Sequence, residues 1–137
     1  MADTPVPGRR DAVLICLPGS GKRWLAMRRA LGDRYGGQVG FPAGKCEPGE
    51  SQQDAVVREG LEELGVTLRP LYCFAVLPWA DMTLYAWLVS AASLAFTPNP
   101  AEVDELLWLS APELATHPDA VDALATLTAQ LPTAALQ

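Results

Sequence analysis

Between Ser51 and Gly65 the chain spells out a helix with both ends marked. The rest of the fold must fit around it. Ser51 is a favoured N-cap, and Asp54, three positions on, completes a capping-box pattern. Gly65 is a favoured helix stop. Val57, Leu61 and Leu64 recur at the spacing of one helical face. The difficulty lies in "REGLEELG", Arg58 to Gly65. Its glutamates stand three and four apart, and like charges at those spacings oppose helix formation by roughly 0.2–0.5 kcal/mol per pair. Gly60 costs about 1 kcal/mol relative to alanine in a helix interior. On a wheel of about 100° per residue, Glu59, Glu62 and Glu63 share one sector, opposite the apolar stripe. A solvated acidic face is the usual reading of such a helix. Here Arg58 is the helix's sole basic residue, and Glu50 adds another carboxylate just before it. Converging hard oxygens with few basic partners suit Mg²⁺, which binds a few carboxylates together with substrate phosphates.

The flanking segments read mostly as strands. "AVLICL" (12–17) and "WLAMRR" (24–29) form a hairpin about the turn "PGSGKR" (18–23). That turn lacks the GxxxxGK[ST] spacing of a phosphate loop. A glycine-rich loop covers 30–40, and "FPAGKCEPGES" (41–51) is a short strand and a tight Pro-Gly turn. Strands are expected at 67–77, 81–91 and 103–110, a short helix from 111, and a last helix over 119–131 with Val121, Leu124 and Leu127 on one face. This order predicts an α+β domain with a mixed sheet. The length of 137 residues fits a single domain, 1–137.

Gly44, five residues, Glu50, seven residues, Arg58-Glu59, Glu62-Glu63 and Gly65-Val66 follow the pattern Gx5Ex7REUxEExGU. The segment 44–66, "GKCEPGESQQDAVVREGLEELGV", thus resembles the Nudix box. It departs at one specified position, where Gly60 replaces an apolar residue. The resemblance implies an α/β/α sandwich with a mixed β-sheet and a loop–helix–loop box. It also implies hydrolysis of a phosphoanhydride in a nucleoside diphosphate-linked compound, with Mg²⁺, or Mn²⁺ in its place. Carried over by position, Glu59, Glu62 and Glu63 become metal ligands, with the carbonyl of Ala43 as a further one. Arg58 orients the carboxylates through Glu50. Glu62 or Glu102 serves as general base, and the two are not distinguished. Arg29 contacts substrate phosphate, and Asp119 borders the nucleobase, as in the MutT-like branch. Gly60 touches none of these ligands and offers room for close packing against another element.

The leading expectation is a MutT-like enzyme cleaving a nucleoside triphosphate, 8-oxo-dGTP among them, to monophosphate and pyrophosphate. The alternatives are an ADP-ribose or nucleotide-sugar pyrophosphatase, favoured by "PAG" at 42–44 but usually longer at the N-terminus, and a non-cleaving regulatory nucleotide binder. The net charge of −6 disfavours nucleic acid and anionic membranes as partners. No apolar run approaches the ~20 residues of a membrane span. Cys16, Cys46 and Cys73 are scattered and read as free thiols, so a cytoplasmic protein is expected, monomer or homodimer. The single histidine, His117, reads as a loop residue, Cys46 as packed, and Arg34 and Tyr35 as surface. The four tryptophans read as packing; Trp79 and Tyr85 flank strands expected to face the substrate cleft, where one of them is a candidate to stack on a base.

Overall fold

The computed structural model describes residues 10–32, 35–121 and 124–132. The chain order is β1 (Arg10–Cys16), β2 (Arg23–Arg29), β3 (Val39–Gly40), β4 (Ala43–Lys45), α1 (Gln52–Glu59), a π-helical turn (Gly60–Leu64), β5 (Leu68–Trp79), β6 (Met82–Ala91), β7 (Val103–Ser110), α2 (Ala111–Thr116) and α3 (Leu124–Thr128). One sheet has the order β4-β1-β6-β5, the other β3-β2-β7. The β1–β6 pair is parallel and the other pairs are antiparallel, so the first sheet is mixed.

Alternation along the strands divides the core in two. Ala12, Cys16, Ala26, Leu84 and Leu88 pack with Leu114, Leu124 and Leu127 of α2 and α3. Val13, Ile15, Leu25, Trp87 and Val89 pack with Ala55, Val56 and Leu64 of the central helix. Because successive side chains of a strand point to opposite faces, helices cover both sides. The result is the expected α/β/α sandwich. The chain passes between the sheets at Phe41 and Pro42, where Pro42 O accepts from Ile15 N at 2.8 Å. This crossing sets β4 at a sheet edge, directly before the central helix.

The helix begins as the sequence predicts, with Ser51 Oγ accepting from Asp54 N at 3.1 Å. Its buried face differs from the wheel. Leu61 is 52% exposed, whereas Glu59 and Glu63 are only 7% and 2% exposed. Two i,i+4 rows explain this. Val56, Gly60 and Leu64 face the sheet, and the neighbouring row, Ala55, Glu59 and Glu63, faces the β4 edge. The wheel weighted Leu61 by its hydrophobicity and gave Gly60 no weight. Yet a Cβ at Gly60 would lie 2.5 Å from Leu68 Cδ1, so the bare backbone is a packing surface for β5.

The last helix is also shorter than 119–131. Val39 N donates to Asp119 O at 2.9 Å, and Val121 N donates to Val39 O at 3.1 Å. Those backbone groups pair with β3 and so are not available to a helix. Positions 122–123 and Arg34 lie outside the described residues.

Gly60→Leu is therefore expected to lower stability by about 1–3 kcal/mol through overpacking. Adding Leu68→Ala, which alone costs about 2–5 kcal/mol, is expected to give less than the sum. Urea denaturation of the two single variants and the double variant measures this coupling.

Candidate active site

Arg58 organises the site. Its Nε donates to Glu50 Oε2 at 2.8 Å, and its Nη2 donates to Glu50 Oε1 at 2.9 Å. Nη2 also donates to the carbonyl of Lys45 at 2.9 Å. Nη1 reaches Glu59 Oε1 at 2.8 Å and Glu62 Oε2 at 3.2 Å. A planar guanidinium with five donors can bridge this many acceptors, and an ammonium cannot. One side chain thus joins β4, the loop before the helix, and Glu59 and Glu62 of the helical segment. Glu50 takes a further bond from Glu47 N at 2.9 Å. The Arg58 hydrogen bonds hold the Glu50 carboxyl below its ordinary range and push the guanidinium pKa up.

Glu59 lies over Gly44, where a Cβ would overlap its carboxylate. Glycine at 44 is what lets the helix lay this side chain across the sheet edge. Burial pushes the Glu59 carboxyl up, although the bond from Arg58 pulls the other way. Glu63 is deeper. Its carboxyl is pushed up to about 8, first by burial and then by Glu59 and Glu102, with Arg29 opposing. Glu63 Oε1 is buried with no hydrogen-bond partner.

These groups border a cavity of about 480 Å³. Glu59, Glu63, Glu102, Arg29, Ala43 and Arg58 line one part of it, and Phe41, Leu84, Leu124 and Leu127 form an apolar wall. The structure therefore brings together six of the residues singled out in the sequence. Glu50 acts behind Arg58. The Glu62 side chain is about half exposed and faces Arg58. Asp119 stands apart: its Oδ2 accepts from Arg28 Nη1 at 2.9 Å, and it does not line the cavity. Tyr85 is buried in the core on the α1 side, whereas Trp79 lines the cavity. Tyr35, expected at the surface, is half-buried there against Trp79. Arg10 lines it too, and no motif marks that residue. Its alternation with Ala12 and Leu14 along β1 is the signal that places it on the cavity face. His117 is a loop residue whose Nδ1 accepts from Asp119 N. Burial pushes the Cys46 thiol up to about 11, in keeping with a packed, protonated side chain.

Among the described residues, no three acidic, histidine or cysteine side chains are arranged to hold a metal ion. Glu59 and Glu62 each accept a hydrogen bond from Arg58 Nη1. The donor set still fits a divalent cation. It consists of hard oxygens, two of its carboxylates are disfavoured as buried anions, and one buried oxygen lacks any donor.

The fold and the site define a class, an α/β/α sandwich with carboxylates gathered over a sheet edge by one arginine. The NUDIX domain model matches residues 8–131, and the chain belongs to the Nudix family. Members of this family generally use divalent metal ions. The 8-oxo-dGTP diphosphatase of Escherichia coli (strain K12) is 41% identical over 66 residues, 45% of this chain and 51% of that protein. The match thus spans about half the length of that relative. The fold is similar to that of a MutT protein from Methanosarcina mazei Go1, with TM-score 0.75, 19% identity, and 91% of this chain and 94% of that one covered. It is also similar to an ADP-ribose pyrophosphatase from Streptococcus suis 89-1591, with TM-score 0.69, 20% identity, and 90% and 87% covered. Among the described residues, no helix is long and apolar enough to cross a membrane.

A carboxyl raised on folding binds its proton more tightly in the folded state. Stability without metal is therefore expected to fall as pH rises from about 4.5 toward 8. The slope is at most about 1.4 kcal/mol per pH unit for one proton. Urea melts across this range, with chelator present, are expected to show a shallower slope for Glu63→Gln than for the natural chain.

Proposed function

We propose that this chain is a divalent-cation-dependent pyrophosphohydrolase of small nucleotides. Its leading substrate is a nucleoside triphosphate, including an oxidised one such as 8-oxo-dGTP, cleaved to monophosphate and pyrophosphate. The observation that carries this reading is one cavity with Glu59, Glu63, Glu102 and Arg29 at one part and an apolar wall at another. Its volume of about 480 Å³ falls within the usual range for small-molecule sites. The name of the Escherichia coli relative favours a triphosphate. Pro42-Ala43-Gly44 favours the second reading, ADP-ribose or a nucleotide sugar. We read the chain as one domain acting in the cytoplasm.

Mg²⁺, or Mn²⁺ in its place, would be held by Glu59, Glu62 and Glu63 with the Ala43 carbonyl, and would supply charge neutralisation and a more acidic bound water. The chain's own residues do the rest. Arg58, locked on Glu50, releases or retains Glu59 and Glu62 and so sets which oxygens face the cavity. Arg29, at the cavity wall, meets phosphate oxygens. Glu102 is better placed than Glu62 as general base, because it lines the cavity while Glu62 faces Arg58. As water adds to phosphorus, its proton passes to Glu102 and the bridging P–O bond breaks. Positioning and electrostatics carry most of the work in such transfers.

Incubation with Mg²⁺ and a panel of triphosphates, 8-oxo-dGTP, ADP-ribose and a nucleotide sugar, followed by chromatography, tests the reading. Pyrophosphate released from a triphosphate is expected. Cleavage confined to ADP-ribose or sugar nucleotides would promote the second reading, and no cleavage with Mg²⁺ or Mn²⁺ would sink both. Glu102→Gln is expected to lower kcat by about 10²–10⁴-fold. Arg58→Lys, which keeps charge and loses the fork, is expected to lower activity by about 10–100-fold.

A further inference from the structure

Between Thr97 and Val103 the chain docks on the end of the π-helical turn that carries Glu62 and Glu63. Thr97 N donates to Leu64 O at 2.8 Å, and Asn99 N donates to Glu63 O at 3.0 Å. The last carbonyls of a helical segment lack partners within it, and this loop supplies them. Pro98 and Pro100 flank Asn99 and carry no N–H, so Asn99 is the one backbone donor of residues 98–100. Pro100 also narrows the backbone choices of Asn99, because a residue before proline avoids the helical region. The Asn99 carbonyl accepts from Glu102 N at 3.0 Å and from Val103 N at 2.8 Å. The side chain uses both its ends. Asn99 Oδ1 accepts from Ala101 N at 3.0 Å, and Asn99 Nδ2 donates to Glu102 Oε2 at 3.4 Å. A backbone N–H can only donate, so the bond from Ala101 fixes which end of the amide is oxygen and turns the NH2 toward Glu102. At the far end of this turn the Glu102 carbonyl accepts from Ala30 N at 3.0 Å, next to Arg29.

Resting on the hydrolytic reading above, with Glu102 as general base, we propose that Asn99 is the positioning residue of that carboxylate. Glu102, Glu63 and Arg29 line the cavity, and Asn99 stands behind them. Its backbone holds Glu63 and its side chain holds Glu102, so one residue sets the glutamate of the loop against the glutamate of the helix. Two carboxylates on one cavity repel each other. An amide NH2 steadies one of them without adding a positive charge that would compete for phosphate. The bond of 3.4 Å is long, and catalytic hydrogen bonds that are long before substrate binds tighten once it is bound. Asn99 lies outside the Nudix box at 44–66.

Two variants separate the bond to Glu102 from the turn. Asn99→Ser and Asn99→Asp each keep a side-chain oxygen of the kind that caps such turns, and each keeps the backbone donor to Glu63. Neither has an amide NH2 to offer Glu102. Steady-state kinetics on whichever compound of the panel above is cleaved fastest are expected to show kcat lowered about 10–100-fold in both. KM and Tm are expected to stay close to those of the natural chain. Asn99→Ser is then placed in the Glu102→Gln background. A residue that acts only through Glu102 costs nothing further once that carboxylate is gone, so the double variant is expected to match Glu102→Gln alone. Should Asn99→Ser fail to fold, Asn99→Asp carries the same cycle. An additive loss in the double variant would overturn the proposal and leave the hydrolytic reading standing. So would a raised KM with unchanged kcat, or no change at all in the single variants. Full activity of Glu102→Gln, or no cleavage of any compound, would overturn the general-base reading and this proposal together.

Discussion

The guanidinium of Arg58 is the joint on which the site depends. It spans the Lys45 carbonyl, both oxygens of Glu50, and one oxygen each of Glu59 and Glu62. Those acceptors belong to the β4 edge, the loop and the helix. These bonds tie Glu59 and Glu62 to the β4 edge and the loop before the helix, and the Ala43 backbone adds a bond to the Glu63 carboxyl. A half-buried arginine with several carboxylates is also a demanding arrangement. Removing one partner of such a pair leaves the others uncompensated, which is costlier than never having buried them.

The repulsion and the glycine that opened the sequence reading have separate physical causes. Gly60 answers to the core, because Leu68 occupies the space that a side chain there would need. The glutamates answer to the cavity. Glu59 and Glu63 are buried where burial raises their pKa, so they weaken the folded protein unless something binds them. Local rules are broken where a ligand is meant to complete the site. The π-helical turn from Gly60 to Leu64 lies in the same segment, and such wide turns recur at functional sites.

Much of this was legible in the residues. Ser51, Asp54 and Gly65 marked the helix, because capping is local chemistry. Apolar runs at 12–17, 24–29, 81–91 and 103–110 marked strands, but the burial of consecutive residues on β1, β2 and β6 hid which face each one packs on. The spacing of Gly44, Glu50, Arg58, Glu59, Glu62 and Glu63 marked the box. The inward face of the helix was not legible, since a hydrophobicity wheel favours Leu61 and overlooks both Gly60 and a buried glutamate. Strand β3 was hidden in a glycine-rich loop, because two residues carry no periodicity. Asp119 reads as a site residue by position but is held by Arg28 from β2. Tyr35 reaches the cavity through tertiary packing, which no local pattern encodes, whereas Arg10 shares the cavity face of β1 with Ala12 and Leu14 by strand alternation.

If the buried carboxylates of Glu59 and Glu63 hold a divalent cation, as proposed above, a metal titration of thermal stability shows it most directly. A ligand at 100 times its Kd, bound only by the folded state, adds about 2.7 kcal/mol. Saturating Mg²⁺ or Mn²⁺ is therefore expected to raise the Tm of the natural chain clearly, and to raise that of Glu59→Gln/Glu63→Gln little or not at all. Equal shifts in both proteins, or no shift in the natural chain, would contradict the account.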